Sequence, residues 1–311
     1  MTSCPPSREG PSGLLLVDKP EGLTSHDVVD EARKLLGTRR VGHTGTLDPA
    51  ATGLLVLCVG RAGRLQLFLT GYDKSYVGEM RFGVKTDTYD REGAPVGDPH
   101  PDPRPSREAV EAACARYTGT FEQAPPPFSA KRIGGKKFYE FARKGEAVPH
   151  LPKTVHVSRL FVLDLAGDRA RFEVTCSSGT YVRSLVHDVG QDLGLGAHLA
   201  ALRRVAIGPF RLEDAQTLLA LRALEPSERL APPVWVPLVG IPLPFPAVSL
   251  LPAELAKVVR GHAVPLRPPS GVVSAPWVRF LSDDQLVALG QLEPLGRGAL
   301  ALARPRIVLV D

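Results

Sequence analysis

Apolar and polar positions divide the chain into a long mixed part and a short β-rich tail. Leu14 to Val17 read as a short buried strand, broken by Asp18-Lys19-Pro20 with Gly22 in the turn. Thr24 and Asp27 stand at capping-box spacing. Val28, Val29, Ala32, Leu35 and Leu36 then form a helical stripe closed by Gly37. Leu54 to Val59 read as a strand and Arg61 to Leu69 as a helix. Tyr76, Met80, Phe82 and Val84 alternate with Val77, Glu79 and Arg81, a strand pattern. After a Pro- and Gly-rich loop at 91–106, Ser106 opens a helix carrying Val110, Ala113, Cys114 and Tyr117, closed by Gly119. Ala170, Phe172, Val174 and Cys176 alternate against Arg171, Glu173 and Thr175. Tyr181, Val182, Leu185, Val186 and Val189 follow as a helical stripe begun by Ser178 or Thr180, with Arg183 in the first turn, off that stripe. Residues 223–246 are rich in proline and read as a linker with little regular structure. A short helix near Pro252 to Val259 and strands around Trp277 to Leu281, Leu286 to Leu292 and Leu300 to Val310 predict a small β-barrel.

Composition narrows this only a little. At 311 residues the chain is long enough for one large domain and a small one. The net charge of +5 suits a polyanionic partner without proving one. The four cysteines, Cys4, Cys58, Cys114 and Cys176, are far apart and form no CxxC. That argues against a zinc site and a disulfide framework. Residues 1–12 read as a disordered leader without the apolar stretch of a signal peptide, and no apolar run reaches the length of a membrane span. A cytoplasmic location, with no membrane involved, is the expectation.

The candidate chemistry sits in VGHTGTLDPAATGLL, residues 41–55. Pro49 fixes its own φ and biases Asp48 away from the helical region. Gly42 and Gly45 permit backbone geometries closed to other residues. The stretch reads as a shaped loop holding a carboxylate beside a buried element. Asp-Pro alone is an ordinary turn opener, and Thr44 or Thr46 could cap a backbone N–H there.

The whole string decides between these. GHTGTLDPAATGLL strongly resembles the active-site motif of the TruB family, the bacterial tRNA pseudouridine synthases. DKPxGxTSxDVV near the start, DKSY at 73–76, SSGTYVRSL at 177–185 and HLAALRRV at 198–205 match further family motifs in the right order, over roughly residues 13–210. The resemblance implies an α+β fold: a pseudouridine synthase catalytic domain on a mixed, mainly antiparallel sheet with flanking helices, over 13–240. A small C-terminal PUA-like β-barrel is implied at 247–311. It makes Asp48 the catalytic carboxylate and Arg183 its partner, and it makes Tyr76 a catalytic residue that stacks on the target base and lies close enough to join in proton transfer, with Tyr76 or Asp48 taking the C5 proton. His43 would prop the flipped nucleotide, Lys19 would support the cleft, Leu202 would pack the target base, and Arg203 and Arg204 would contact phosphates.

Residues 124–148 interleave Lys131, Arg132, Lys136, Lys137, Arg143 and Lys144 with aromatic side chains. They resemble the family's RNA-gripping thumb. The family's S-A-x-K departs here to Arg132 in the lysine position, which keeps the positive charge. The implied reaction isomerises uridine to pseudouridine at position 55 of the tRNA T loop. It needs no cofactor and no metal, since no group is added and no redox change occurs. A carboxylate with an arginine in bidentate contact would carry it. The implied partner is the tRNA T stem-loop, with no obligatory protein partner and a monomeric chain. A non-catalytic RNA-binding protein would use the thumb and barrel equally well but has no need of Asp48 with Arg183. A guide-RNA-dependent synthase would not need the thumb.

Overall fold

In the computed structural model of the protein, residues 10–128, 132–133, 136–137, 152–266, 277–294 and 301–310 are described. The opening run forms β1 (Gly13–Lys19), buried along most of its length and carried past the expected break at Asp18. Thr24 caps α1 (Ser25–Leu36): its hydroxyl accepts from Asp27 N–H while the Asp27 carboxylate accepts from Thr24 N–H, and Gly37 ends the helix at φ 61°. β2 (Val41–His43) and β3 (Thr52–Val59) flank the Asp48 loop. The helix expected over 61–69 begins instead as a 3₁₀ turn, Gly60–Leu65, and becomes α-helical only at α2 (Gln66–Thr70). The buried residues of that turn, Ala62 and Leu65, are three apart, which a three-residue repeat puts on one side, and two glycines weaken the α alternative.

β4 (Lys74–Phe82) buries alternate residues, as the pattern predicts. Two short strands, β5 (Lys85–Thr86) and β6 (Pro95–Val96), pair across the turn that carries Tyr89 and Asp90. α3 (Arg107–Arg116) is capped by Ser106 and ends at Tyr117, so Gly119 starts the next strand rather than closing the helix. The following strands are β7 (Gly119–Gln123), the two-residue pair β8 (Arg132–Ile133) and β9 (Lys136–Lys137), β10 (Lys153–Ala166) and β11 (Arg169–Cys176). α4 (Val182–Asp192) and β12 (Ala197–Ile207) complete the elements that build the site.

One sheet gathers eleven strands. Its path runs from β14 (Gln216–Thr217) through β1, β3, β12, β4, β11 and β10 to β7, with β2 beside β3 and β13 (Phe210–Arg211) beside β12. Its ladders are antiparallel except β1 with β14 and β3 with β12, so the sheet is mixed and mainly antiparallel as expected. α3 and α4 cover one end through Val110, Val186 and Val189 against Phe172 and Val174, and α1 covers the other through Val28 and Val29 against Leu55 and Leu57.

The proline-rich stretch 223–246 is not the unstructured linker the composition suggests. β15 (Trp235–Pro237) pairs with β1, and Val234 and Trp235 are buried. The ring of Trp235 fits because residue 13 is glycine, where a Cβ would lie 2.5 Å from that ring. Burying an indole repays the ordering of a short proline-rich segment. Beyond it lie β16 (Ala247–Ser249), α5 (Pro252–Val259), β17 (Val264–Leu266), β18 (Trp277–Ser282), β19 (Gln285–Pro294) and β20 (Ala301–Val308). They form a five-stranded sheet in the order β16-β18-β19-β20-β17, with its own core around Val258, Val278, Phe280 and Ala303. Leu286, Leu289 and Leu309 join this sheet to the back of β1 and β3. Among the described residues no helix is long and apolar enough to cross a membrane.

Candidate active site

The Asp48 loop spans the gap between β2 and β3 and is tied down at almost every residue. Thr44 N–H donates to Val56 O at 3.0 Å and Ala51 N–H to Asp48 O at 3.1 Å, so the loop is also a hydrogen-bonded turn. From α1, the Ser25 hydroxyl accepts from Leu47 N–H at 2.8 Å and donates to Leu47 O at 3.0 Å. From β1, the Lys19 ammonium donates to Pro20 O, Leu23 O and Pro49 O at 2.9, 2.6 and 3.2 Å. From β12, the Arg204 guanidinium donates to Leu54 O, Gly45 O and Thr46 O at 2.7, 3.0 and 3.3 Å.

Burial corrects the phosphate contact expected of Arg204, while Lys19 sits behind the loop rather than on a face that RNA could touch. Lys19 is 0% exposed and Arg204 1% exposed, so neither has a face open to a phosphate. Each spends its charge on backbone carbonyls, which must be satisfied in a buried loop. Burial holds the Lys19 ammonium below its ordinary pKa, partly offset by the nearby Asp48 carboxylate. Arg203, the neighbour of Arg204, does point outward and pairs with Asp18 Oδ2 at 2.7 Å. We predict that Arg204→Met lowers stability by about 3 kcal/mol, the scale of losing a few charge-assisted hydrogen bonds. Thermal unfolding checks it, and an unchanged melting temperature would contradict the strut assignment.

The glycines also act differently from expectation. Neither Gly42 nor Gly45 has a positive φ. A Cβ at Gly45 would lie 3.3 Å from Lys74 Cε, a tight contact, and 3.6 Å from Arg204 Nη1, an ordinary one. The left-handed residue is Gly53, at φ 99°, where a Cβ would come within 2.3 Å of Arg204 O.

Asp48 itself is held by a guanidinium from α4. Arg183 Nε lies 3.1 Å from Asp48 Oδ2. The contact is single rather than the expected bidentate fork, because the rest of the guanidinium is engaged elsewhere. Nη1 reaches Asp90 Oδ2 at 3.1 Å and Thr88 O at 2.9 Å, and Nη2 reaches Phe128 O at 3.2 Å. Arg183 is therefore buried between two carboxylates, while the Asp48 side chain is 46% exposed. The apolar stripe placed Arg183 on an open side of the helix. Residues 182–186 are instead all buried, because the turn at 88–90 covers that face. The helix also begins without a serine or threonine cap. Gln123 of β7 instead fixes the residue before the helix: its amide accepts from Tyr181 N–H at 2.8 Å and donates to Tyr181 O at 3.0 Å.

Asp48 and Arg183 open onto a cavity of about 330 Å³ whose walls include Tyr76, Leu202 and Lys74. Tyr76 is 8% exposed, and burial pushes its hydroxyl above the usual phenol range, with Arg204 pulling partly back. Lys74 donates to Thr70 O and Tyr72 O at 2.8 and 2.5 Å. Burial, with Arg204 adding, brings it down to about 8, so it is charged at neutral pH and loses that charge as pH climbs past 8.

His43 is not among the residues walling this cavity. It lies on β2 just before the loop, half-buried, and burial followed by Arg204 lowers its pKa, which leaves the ring neutral at pH 7. Of the thumb, Lys131 lies outside the described residues, as does most of 124–148. Arg132 and Ile133 pair with Lys137 and Lys136 as a two-residue antiparallel ladder. Among the described residues no three His, Cys, Asp or Glu side chains come together as a metal site.

The sequence reading missed Asp90, Ser25 and Lys74. Asp90 stands in KTDTYDREG, where only Asp-rich turn chemistry is visible. Nothing in that spacing reports the arginine 93 residues away that it binds. The alternation in β4 could have flagged Lys74, since residues 74, 76, 78, 80 and 82 are all buried.

Two family profiles match the chain. Residues 33–182 match the N-terminal domain of TruB family pseudouridylate synthase, and residues 183–231 match the C-terminal domain of tRNA pseudouridylate synthase B. The tRNA pseudouridine synthase B of Solibacter usitatus is 43% identical over 90% of this chain and 95% of its own length. That of Symbiobacterium thermophilum is 45% identical over 82% of this chain and 84% of its own. Among solved structures, a Cbf5–Nop10–Gar1 complex superposes with a TM-score of 0.71 at 25% identity, covering 98% of this chain and 91% of that one. The archaeal box H/ACA sRNP Nop10–Cbf5 complex superposes with a TM-score of 0.70 at 25% identity, covering 96% and 86%.

Proposed function

The chain belongs to the TruB family of pseudouridylate synthases, isomerases that turn uridine into pseudouridine in tRNA, and on that premise we propose that it acts on the T-loop uridine at position 55 with Asp48 as the catalytic carboxylate. The observation that carries this is the Asp48–Arg183–Asp90 chain. One carboxylate faces the cavity, one is buried, and a single guanidinium lies between them. A pure RNA binder has no use for a half-exposed carboxylate held this way beside a stacking aromatic.

The target base must leave its stack to reach Asp48. Tyr76 then offers a ring face in place of the lost neighbours, and Leu202 an apolar wall. Base and ribose filling the cavity supply the water exclusion that the open loop lacks. The N1–C1′ bond breaks with its electron pair leaving on uracil. Asp48 either forms a bond to C1′, as a retaining glycosidase nucleophile does, or takes a proton from C2′ to leave a glycal. The uracil turns, C5 bonds to C1′, and the Asp48 oxygen departs or C2′ regains its proton. C5 loses a proton and N1 ends protonated, so atoms balance without a cofactor. With the Tyr76 phenol neutral, Tyr76 serves first as a platform, and Asp48, once released, is within the same cavity to take the C5 proton.

The same reading assigns 13–240 to catalysis and 247–311 to a PUA-like RNA-binding unit. It gives His43 the role of propping the flipped nucleotide, Arg203 a phosphate contact, and the residues around Arg132, Lys136 and Lys137 the grip on the T stem. The protein then works alone on tRNA, as a monomer in the cytoplasm. Lys136→Gln with Lys137→Gln should weaken tRNA binding and reduce the slope of log K against log salt by about 1 to 2, one counterion-release step per lost phosphate contact. An unchanged slope would remove the thumb assignment. The deciding experiment for the substrate is incubation with an unmodified tRNA transcript followed by pseudouridine mapping. Modification appears at position 55 and is lost when that base is cytidine. Modification elsewhere alone would overturn the site.

A further inference from the structure

Arg183 takes two of its oxygens from one turn, Thr88 O and Asp90 Oδ2. The residue between them, Tyr89, has φ 65°. A bulky side chain in that left-handed region is strained, and such a bend persists only where its surroundings over-determine it. The Tyr89 ring lies flat on the His187 ring, with centroids 3.7 Å apart and planes 11° from parallel. His187 stands four residues after Arg183 on α4, so both side chains leave the same helix face. That one face therefore grips the turn twice. Arg183 takes its oxygens and His187 takes its ring. The turn is also stitched to β12, with Leu199 N–H donating to Tyr89 O at 3.0 Å and Arg91 N–H to Leu199 O at 3.1 Å.

His187 has no other visible task. Its Nδ1 is buried without a hydrogen-bond partner among the described residues, and burial, with Lys85 adding, keeps its pKa low. A neutral imidazole in that position contributes a flat face and little else. Neither Tyr89 nor His187 walls the Asp48 cavity.

We propose that the Tyr89–His187 stack is a positioning device for Arg183, holding the turn at 88–90 in its left-handed bend so that Asp90 aims the guanidinium Nε at Asp48. This rests on Asp48 and Arg183 being the catalytic pair. Displacements near 1 Å in such a pair can cost about a hundredfold in rate. His187→Ala should therefore lower kcat by about ten- to thirtyfold while KM for tRNA stays within about twofold. His187→Phe and Tyr89→Phe keep ring on ring and should stay within about threefold of the parent. Tyr89→Gly tolerates the bend without strain and lacks the ring, so it should fold and yet lose kcat as His187→Ala does.

Coupling gives an independent readout. If the stack acts through Asp90, adding His187→Ala to Asp90→Asn costs nothing further. Full kcat in His187→Ala or Tyr89→Gly overturns the proposal. So does a loss in His187→Phe equal to that in His187→Ala, or losses that multiply in the double variant. Asp48→Asn run in parallel separates the two readings. An active Asp48→Asn protein sinks the catalytic pair, whereas an inactive one beside a fully active His187→Ala sinks only the stack.

Discussion

Asp48→Asn abolishes turnover and leaves tRNA affinity within a few-fold. The carboxamide has nearly the same shape as the carboxylate, so the loop keeps its ties. Those ties run to backbone atoms, from Ser25 to Leu47, from Lys19 to Pro49 and from Arg204 to Gly45 and Thr46, and none uses the Asp48 side chain. Arg183 loses one partner and keeps Asp90, Thr88 and Phe128. The fold and the cavity walls thus survive, and only the nucleophile or base is gone. Removing such a group costs at least about four orders of magnitude, because among the described residues lining the cavity no other side chain offers an anionic oxygen. Tritium release from tRNA labelled at uridine C5 measures the first part and filter binding the second. Turnover within a hundredfold of the parent would defeat the assignment of Asp48.

Arg183→Lys lowers kcat by about a hundred- to a thousandfold and also lowers the melting temperature. A lysine keeps the charge but not the span. The guanidinium reaches two carboxylates and two carbonyl oxygens through three nitrogens spread in a plane, and a single ammonium cannot meet all four at once. Whichever oxygen it abandons costs something different. Releasing Asp48 loses alignment at C1′. Releasing Asp90 leaves a buried carboxylate without its cation, a costly state. Turnover assays and thermal unfolding together separate these outcomes: a large rate loss with little destabilisation means Asp48 was released, and the reverse means Asp90 was. Near-normal turnover would sink the pairing as a catalytic feature.

Local chemistry was legible wherever a short stretch decides its own conformation. The Thr24 and Asp27 capping box, the Gly37 terminator, the Ser106 cap and the alternation in β4 and β11 are all interactions between residues a few positions apart. The helix at 61–69 and the stretch 223–246 were misread because packing outweighed propensity. Two buried residues three apart drew the first into a 3₁₀ turn, and one buried tryptophan drew the second onto the edge of the sheet.

The family motifs put Asp48, Tyr76, Arg183 and Leu202 forward, and the structure brings all four to one cavity. Sequence by itself therefore determined most of the elements and, through the family motifs, pointed to the mainly antiparallel sheet and to these four residues of the cavity. Only the tertiary structure decided how the charges are used. Arg203 and Arg204 are adjacent and chemically identical, yet one pairs at the surface and the other is sealed behind the Asp48 loop. Lys19 looks like any turn lysine until three carbonyls close around it. Asp90 becomes Arg183's second carboxylate only because β12 and α4 bring a distant turn against the helix. The reason is general. Propensity, caps and periodicity are local and survive in the linear string, whereas the partner of a buried charge is chosen by which segments the fold brings together.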